Sequence, residues 1–484
     1  MNFKAISRNV GYALLVSALF MLLSLGVSLL NGRDSAFVPL LISFLITFIV
    51  GIFPFLFVTR TAPITLKDGY MIIVLSWLLS FIFGMLPYAL WGGPFTLANA
   101  WFESVSGYTT TGATILADIE ALPKSLLFWR SATHFIGGLG VVVFLLLIIP
   151  NASPIKMRLT NMELSSLSRS GYSVRANRTV YVFAYVYLGI FVLSFVSYLL
   201  AGMSLFDAVC HAFSVSATGG FSTRNLSIGA FHSRVIELLT MIFMLLSSLH
   251  FGLIYMSVIH RTLRPMGNPV IKFYLATLVL MSIACGISLR VGGAVDTLGE
   301  GLWQGAFQAL CTSSTTGFAI ADNATWPMFA NVLLLSLAIM CGCAGSTSGG
   351  VKADRILVLF KMIGCQIART LHPSSMYEVH LGDRVLRENE TSPHILYIAV
   401  FTLLTGISIL LNLAIGLNAQ DAFSSSIAAL SNLGPATGRL GTMGNYDFIP
   451  AASKFLLSLD MFLGRVEIYP VVAVVAMLFD WKKK

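Results

Sequence analysis

Ten apolar stretches, each about long enough to cross the hydrocarbon core of a bilayer, dominate this sequence. A transmembrane helix needs about 20 predominantly apolar residues. The candidate spans are residues 9–30, 36–58, 71–91, 126–149, 180–202, 234–259, 270–292, 328–361, 394–416 and 455–480. Only 11% of the residues are charged, whereas soluble domains carry about 25%. The sequence therefore predicts an all-α, multi-pass membrane protein that is surrounded by membrane lipid.

Basic residues are concentrated in the loops on one side of the predicted spans. The loop between the fourth and fifth spans carries Lys156, Arg158, Arg169, Arg175 and Arg178, and both termini are also basic. Cytoplasmic loops of membrane proteins are enriched in Lys and Arg. Because ten spans is an even number, both termini are predicted to be cytoplasmic. We attribute the net charge of +9 to this bias and expect no nucleic-acid partner.

Four shorter apolar stretches lie in the loops of the opposite side, at residues 97–108, 205–217, 302–315 and 421–430. Each is too short to cross a bilayer and is followed by a polar turn that contains glycine. A unit of helix, half-helix, turn and helix thus occurs four times in the same direction, and such a long-period repeat indicates a symmetric assembly. We expect four pseudo-symmetric helix–pore-helix–helix repeats around one pore, preceded by two N-terminal transmembrane helices.

The predicted boundaries follow from this pattern. The N-terminal helix pair takes residues 1–66, and the repeats take residues 67–165, 166–264, 265–385 and 386–484.

The four turns after the half-helices offer oxygen atoms and neither thiolate nor imidazole groups. Irregular backbone at membrane depth is tolerated where it lines a water-filled cavity, and each half-helix directs its partly negative C-terminal end at the pore. Rings of backbone carbonyls replace the hydration shell of potassium in channel filters. One such turn alone would be ordinary, but four at matching places predict a potassium site. Aligned on one glycine, the turns are Thr110-Thr111-Gly112, Thr218-Gly219, Thr315-Thr316-Gly317 and Asn432-Leu433-Gly434.

The eighth predicted span is interrupted by Cys341–Gly350, a segment with four glycines. Glycine disfavours helix, so we expect a loop within the pore, below the turns; a simple kink is the alternative. A phosphate-binding loop is excluded because Val351 follows Gly350 where that motif requires lysine. The loop residues are Gly345, Ser346, Thr347, Ser348, Gly349 and Gly350.

Two charged residues, Arg465 and Glu467, fall within the last predicted span. A charge at the membrane centre costs at least about 2.5 kcal/mol on insertion scales, so each should have a partner. Residues two apart on a helix do not share a face, so the two partners should differ. We expect Arg465 to contact the carbonyls of residues 345–350 and to place a positive barrier in the pore. A purely structural ion pair is the alternative.

Five further polar residues lie in or near the half-helices and spans. Asp207 and Asp421 stand at the starts of two half-helices, where carboxylates stabilise the helix dipole. Glu103 lies within the first half-helix and is expected to raise the local cation concentration. His134 and His250 are expected to be packed core residues without a chemical role.

Several segments resemble the TrkH/TrkG/KtrB family of bacterial potassium uptake proteins. They are the turns Thr109–Thr114 and Ser216–Thr223, and the segments Gly342–Arg355 and Gly464–Glu467. The likeness covers essentially the whole chain. The length and the two extra N-terminal spans place the sequence nearer to the TrkH branch than to the shorter KtrB branch.

This resemblance implies that the turns form a potassium filter, and related plant transporters that favour sodium have serine at the position of Gly112. The departure of the fourth turn from the threonine pattern implies looser selectivity. The implied filter glycines are Gly112, Gly219, Gly317 and Gly434.

The resemblance also implies a location, a gate and partners. It implies the bacterial inner membrane, a homodimer with one pore in each protomer, and residues 345–350 with Arg465 as the gate. A cytosolic nucleotide-binding regulatory subunit similar to TrkA is implied, and the basic loops 150–178 and 362–390 are its expected docking surfaces. Potassium is the only implied ion, and no organic cofactor is expected.

Two other classes of membrane protein are less well supported by the sequence. A cation-coupled secondary transporter, using sodium or protons, would have broken helices in paired inverted halves, whereas these repeats run in one direction and only one span is clearly broken. An enzyme would need a catalytic cluster such as paired carboxylates or a His-Glu zinc motif, and none is found. We therefore predict potassium uptake without enzymatic activity, and ion-coupled symport stays open as the alternative.

Overall fold

The computed structural model describes residues 2–58, 64–148, 176–374, 377–382 and 384–480, so most of the predicted basic loop 150–178 lies outside the described residues. The described chain is built almost entirely of helices, which we number in order. They are α1 (Phe3–Leu30), α2 (Phe37–Phe57), α3 (Leu66–Gly84), α4 (Leu86–Trp91), α5 (Leu97–Tyr108), α6 (Lys124–Ile148), α7 (Ala176–Leu200), α8 (Leu205–Ala217), α9 (Arg234–Ser248), α10 (Phe251–Ile259), α11 (Pro269–Val291), α12 (Leu298–Ser313), α13 (Met328–Met340), α14 (Ala353–Leu371), α15 (Glu388–Ile415), α16 (Ala419–Leu430), α17 (Ala451–Arg465) and α18 (Tyr469–Asp480).

The length and polarity of these helices suit a membrane. Within the described residues, six helices could cross a bilayer, and the number rises to eight if each of two sharply bent pairs counts as one span. Many of their apolar side chains face outward, including those of Leu45, Ile49 and Leu410. An exposed apolar surface of this kind is expected where lipid is the solvent.

The N-terminal pair α1 and α2 packs closely because small residues occupy their interface. A Cβ atom added to Gly11 would lie only 2.7 Å from the carbonyl oxygen of Gly51, and small residues allow this approach of two backbones in membranes. On its other side α1 touches the first repeat, where the Tyr108 hydroxyl donates to Ser17 Oγ at 2.8 Å. The pair therefore supports the first repeat from outside.

Four units follow, each with a long helix, a short pore helix, a turn and a second long helix. The pore helices are α5, α8, α12 and α16. The predicted bounds of the first two are confirmed, whereas α12 begins four residues before the predicted residue 302 and α16 two residues before residue 421. Both begin earlier because a capping side chain precedes the first apolar residue of each helix.

The same capping arrangement begins all four pore helices. In each, a side-chain oxygen of the residue before the helix accepts a hydrogen bond from the backbone amide three residues later, which satisfies one of the free amides of the first turn. The capping residues are Thr96, Ser204, Thr297 and Asn418.

The second long helix of every repeat is broken partway along its length. In the first repeat, Gly140 interrupts α6 with φ 58° and ψ 177°. In the second, α9 and α10 meet at an angle of 103°, and in the fourth, α17 and α18 meet at 109°. In the third, residues 341–352 separate α13 from α14. The predictions of continuous spans over 234–259 and 455–480, and of only one broken span, are therefore wrong.

Local backbone preferences explain two of these breaks. His250 precedes α10 in an extended conformation, and its Nδ1 accepts the Gly252 amide at 3.0 Å, so the residue starts a new helix instead of continuing α9. Glu467 and Ile468 have φ values of 61° and 48°, which a continuous helix cannot contain. Neither signal is visible in hydropathy, because both segments remain apolar.

A short β-hairpin follows α14 within the predicted docking loop 362–390. Strand β1 (Val379–Leu381) pairs antiparallel with β2 (Arg384–Leu386), with Val379 opposite Leu386. The hairpin segment is attached to α14, since the Arg369 guanidinium donates to Tyr377 O at 2.6 Å.

Candidate ion pathway

Each pore helix ends in the same hydrogen-bonded turn. The second residue of the turn donates its amide to the carbonyl five residues earlier, an arrangement that satisfies free carbonyls at a helix end. The pairs are Thr111 to Ser106 at 2.9 Å, Gly219 to Ser214 at 2.9 Å, Thr316 to Cys311 at 3.0 Å and Leu433 to Ala428 at 2.8 Å. The first residue of each turn has a left-handed backbone, with φ of 53° at Thr110, 54° at Thr218, 58° at Thr315 and 55° at Asn432.

This register corrects the sequence alignment of the second turn. Gly219 occupies the position of Thr111, so the equivalent of Gly112 is Gly220. The backbone angles agree, since φ is 84° at Gly112, 83° at Gly220 and 81° at Gly317. The choice of Gly219 as the matching glycine is therefore wrong by one residue, because two adjacent glycines leave the alignment ambiguous.

The four turns meet in a closed ring. A Cβ atom added to the ring glycine of each turn would contact the next turn around the ring. The distances from the added Cβ are 2.0 Å from Gly112 to Gly219 O, 2.0 Å from Gly220 to Thr316 O, 3.1 Å from Gly317 to Pro435 Cδ and 2.5 Å from Gly434 to the carbonyl carbon of Gly112. The first, second and fourth of these contacts have no room for a side chain. The predicted convergence of the four turns on one axis is therefore present.

Cavities lie on both sides of the ring. The outer cavity is lined by all four ring glycines, Gly112, Gly220, Gly317 and Gly434, and by Tyr446. The inner cavity is lined by residues 345–350 and by the broken ends of the second helices of the first, second and fourth repeats. The ring of turns therefore lies between two cavities.

A buried ion pair supports the first turn from behind. Arg130 Nε lies 2.7 Å from Glu103 Oε1, and both side chains are buried. The hydroxyl of Thr114 and the amide of Ile115 also donate to this carboxylate, at 3.0 Å each. Arg130 additionally donates to Ser222 O at 3.2 Å, which joins the first turn to the second. The expectation that Glu103 attracts cations is wrong, because a buried carboxylate needs a partner and this one is neutralised behind the turn.

The two aspartates at pore-helix starts lie where the sequence predicts. Asp207 is in the first turn of α8 and Asp421 in the first turn of α16. Each also pairs with an arginine that follows its own turn, Asp207 with Arg224 at 2.9 Å and Asp421 with Arg439 at 2.7 Å. These pairs tie the outward-running segment of each turn to the start of its pore helix.

Polar contacts also link the outer loops of the first two repeats. The Asn225 side chain donates to Asp118 Oδ1 at 2.9 Å and accepts the Ile119 amide at 2.7 Å. The hydrogen bond from Asn225 lowers the pKa of the Asp118 carboxyl below its ordinary value. The carboxyl of Asp118 therefore ionises more readily than an isolated aspartate does.

The two histidines are packed side chains. The His134 ring stacks on Phe221 at 4.1 Å. It also fills the space beside Gly219, where an added Cβ would lie 2.2 Å from His134 Nδ1. A side chain at position 219 would collide with His134, which lies behind the turn. Gly112 is required for a different reason, namely its close contact with the next turn of the ring.

The segment between α13 and α14 lies directly below the ring. Thr347 Oγ1 donates to Ser216 O at 3.2 Å, and the amide of Gly349 donates to Thr315 Oγ1 at 2.9 Å. A Cβ atom added to Gly349 would lie 2.3 Å from Ser431 O. Residues 345–350 therefore contact the ends of the second, third and fourth pore helices, as expected for a loop inside the pore.

Arg465 connects the loop at residues 345–350 to the first repeat. Its guanidinium donates to Thr347 O at 2.8 Å and to Gly137 O of the first repeat at 2.9 Å. The predicted contact of Arg465 with the loop carbonyls is confirmed. Glu467 has a different partner, Arg355, at 2.6 Å, which confirms that the two charges do not pair with each other.

Sequence reasoning missed a second cation at this level. Lys352 is buried and lines the same inner cavity as Arg465, and its ammonium donates to Ser348 O. Its backbone has φ 81°, so it ends the loop just before α14 begins. The sequence signal that could have revealed this cation is a lysine two residues after a glycine-rich segment within an apolar span.

Comparisons with known proteins agree with this architecture. The TrkH family model, described as a cation transport protein, matches residues 39–287 and 292–482. A relative named Trk system potassium uptake protein TrkH, from Vibrio parahaemolyticus, is 32% identical over all of both chains. TrkG of Escherichia coli is 32% identical over 99% of both chains.

A comparison with solved structures also supports the fold. The crystal structure of the potassium transporter TrkH from Vibrio parahaemolyticus superposes with a TM-score of 0.88, at 31% identity, over 98% of each chain. The predicted all-α membrane fold is confirmed, and so is the prediction of a transport protein in place of an enzyme. The chain belongs to the TrkH family of cation transport proteins.

Proposed function

We propose that this protein takes up potassium across a bacterial inner membrane through the ring of four turns. The closed ring, in which three of the four ring glycines have no room for a side chain, is the observation that carries the proposal. Relatives that match the whole chain are named potassium uptake proteins. Residues 67–165, 166–264, 265–385 and 386–484 each supply one turn. The ion-binding residues are Thr110, Thr111, Gly112, Thr218, Gly219, Gly220, Thr315, Thr316, Gly317, Asn432, Leu433 and Gly434.

The chemistry follows from the direction of the pore helices. Their C-terminal ends carry partial negative charge and face the axis, which favours a cation over an anion. Carbonyl oxygens at the ring then replace the hydration shell of potassium. The membrane potential supplies about 2.3 kcal/mol per charge for each 100 mV, which is sufficient to drive uptake without a chemical reaction.

Residues 345–350 and Arg465 form the proposed gate. The loop touches three pore-helix ends, and Arg465 links it to the first repeat. The positive charges of Arg465 and Lys352 oppose a cation that leaves the ring inward. Conduction therefore requires the loop to move aside, and its three glycines give its backbone the conformational freedom to do so.

Regulation from the cytoplasm follows from the connection of this loop to α14. The distribution of basic residues predicts that both termini are cytoplasmic, and α14 and its hairpin would then face the same side. A nucleotide-binding regulatory subunit that displaces α14 would pull directly on Lys352 and the loop. A homodimer with one pore in each protomer completes the proposed assembly.

Substitution of Gly112 by serine tests the filter assignment. A Cβ at this position would lie 2.0 Å from Gly219 O, and φ there is 84°, so the ring must distort. We expect the potassium-to-sodium uptake ratio of proteoliposomes to fall at least about tenfold, a change of about 1.4 kcal/mol in relative preference. Gly26→Ser is the control, since nothing lies within 4 Å of that position. An unchanged ratio in Gly112→Ser would argue against the filter.

Ion-coupled symport is the second candidate function. It is separated from passive conduction by rubidium uptake driven by a potassium diffusion potential in the absence of sodium and proton gradients. Undiminished uptake under these conditions supports a channel-like pathway, whereas a strict requirement for either gradient supports symport.

A further inference from the structure

The fourth turn differs from the other three in what binds its glycine carbonyl. The hydroxyl of Tyr446 donates a hydrogen bond to Gly434 O at 2.9 Å. Tyr446 lies in the segment between the fourth turn and α17, and its side chain is 3% exposed. A carbonyl oxygen that could face an ion therefore already accepts a hydrogen bond from the protein.

Tyr446 is held in place by the first repeat. Its backbone amide donates to Thr114 O at 2.8 Å, two residues beyond Gly112. Its ring packs on Phe102 of the first pore helix, with 5.3 Å between ring centroids. Two contacts outside the fourth repeat thus orient the hydroxyl, so the hydrogen bond to Gly434 is built into the packing of repeats one and four.

The backbone of the fourth turn is consistent with this difference. Gly112, Gly220 and Gly317 share φ values between 81° and 84°, and Gly434 does not have a positive φ. Pro435 follows Gly434 and favours an extended conformation for the residue before it. The backbone conformation at Gly434 therefore differs from that of the three glycines at equivalent positions.

We propose that Tyr446 is a specificity-determining residue that keeps the Gly434 carbonyl from coordinating potassium fully. The proposal rests on the proposed function of the ring as a filter. A carbonyl has two lone pairs, and one of them is taken by the phenol. The outermost ion is then held mainly by the first three turns. Potassium filters replace the hydration shell of the ion with carbonyl oxygens. A carbonyl that is partly occupied by a phenol replaces less of that shell, and Tyr446 thereby lowers the selection of potassium over sodium.

Tyr446→Phe tests this directly, since the ring and its packing on Phe102 are kept and only the hydroxyl is lost. We expect the potassium-to-sodium uptake ratio to rise about fivefold, the equivalent of about 1 kcal/mol for one hydrogen bond. The matched control is Tyr198→Phe, which removes a buried hydroxyl bonded to Thr240 Oγ1 at 3.1 Å in the second repeat. The control should leave the ratio unchanged. An unchanged or lowered ratio in Tyr446→Phe overturns the proposal.

Gly112→Ser, measured in parallel, separates this proposal from the proposed function. If Gly112→Ser lowers the ratio and Tyr446→Phe leaves it unchanged, the filter stands and the role of Tyr446 fails. If neither variant changes the ratio, the filter assignment fails and the role of Tyr446 fails with it.

A measurement on the unaltered chain covers the case in which Tyr446→Phe does not fold. In crystals soaked with rubidium or thallium, anomalous scattering locates the outermost ion. An ion closer to the carbonyl oxygens of Gly112, Gly220 and Gly317 than to that of Gly434 supports the proposal. An ion equidistant from all four oxygens overturns it.

Discussion

At the scale of single residues, the ring depends on glycines, because the absence of a side chain allows neighbouring groups to approach closely. Gly112 and Gly220 leave room for the carbonyl of a neighbouring turn, whereas Gly219 leaves room for His134. Glycine thus occurs in the second turn for two different reasons at adjacent positions. Behind the first turn the main feature is a buried charge, Glu103, whose partner Arg130 also reaches the second turn.

Removal of the Glu103 charge should weaken this support. In Glu103→Gln the buried Arg130 loses its counter-charge, and breaking a buried ion pair from one side costs about 3–5 kcal/mol. We expect the unfolding midpoint of the detergent-solubilised chain to fall, together with the potassium-to-sodium ratio. Glu120→Gln is the matched control, because its pair with Arg224 spans 4.0 Å between exposed side chains and such pairs contribute at most about 1 kcal/mol. Equal midpoints in the two variants would contradict the supporting role of Glu103.

At the scale of elements, the second helix of each repeat combines a membrane-crossing part with a break near the inner cavity. The break in the third repeat is the longest, and it places residues 345–350 against the ends of three pore helices. The break in the fourth repeat directs Arg465 and Glu467 to separate partners. Helices that end at this level provide the free carbonyls, such as Gly137 O, to which Arg465 binds.

Substitution of Arg465 should weaken the proposed gate and raise ion uptake. In Arg465→Ala the loop loses its link to the first repeat, and the inner cavity loses one positive charge. We expect basal rubidium uptake to rise severalfold in proteoliposomes without any regulatory partner. Arg290→Ala, at the exposed end of α11, serves as the control. Wild-type uptake in Arg465→Ala would remove the gating role and leave the residue a structural one.

At the scale of the whole molecule, four similar units form one pathway, but the units are not equivalent. The first two turns are joined by the buried pair of Glu103 and Arg130. The third turn belongs to the repeat that carries the loop at residues 345–350, and the fourth has asparagine, leucine and a glycine carbonyl that is bonded to Tyr446. The N-terminal pair α1 and α2 lies outside the ring and touches the first repeat through Ser17 and Tyr108. Its contribution is therefore expected to be packing and not ion selection.

Separation of the N-terminal pair should affect stability without affecting selectivity. In Gly11→Val the new side chain would meet Gly51 O, 2.7 Å from its Cβ, and overpacking costs about 1–3 kcal/mol. We expect a lower thermal midpoint with an unchanged potassium-to-sodium ratio. Gly26→Val, placed in open space on the same helix, should change neither quantity. A shift in ion ratio in Gly11→Val would show that the pair participates in the pathway.

The sequence by itself determined the membrane class, the four pore helices and the turns that follow them, because span length, capping residues and glycine-containing turns are local properties. It also indicated the loop at 341–350 and a contact for Arg465, because glycine clusters and charges at membrane depth are conspicuous. Tertiary structure alone decided the rest: whether Gly219 or Gly220 enters the ring, which partner neutralises Glu103, and which carbonyl Tyr446 binds. Glu103 and Arg130 are 27 positions apart, the contacts of the ring join different repeats, and Tyr446 is oriented by Thr114 and Phe102 of the first repeat. Such contacts are set by packing and not by local sequence.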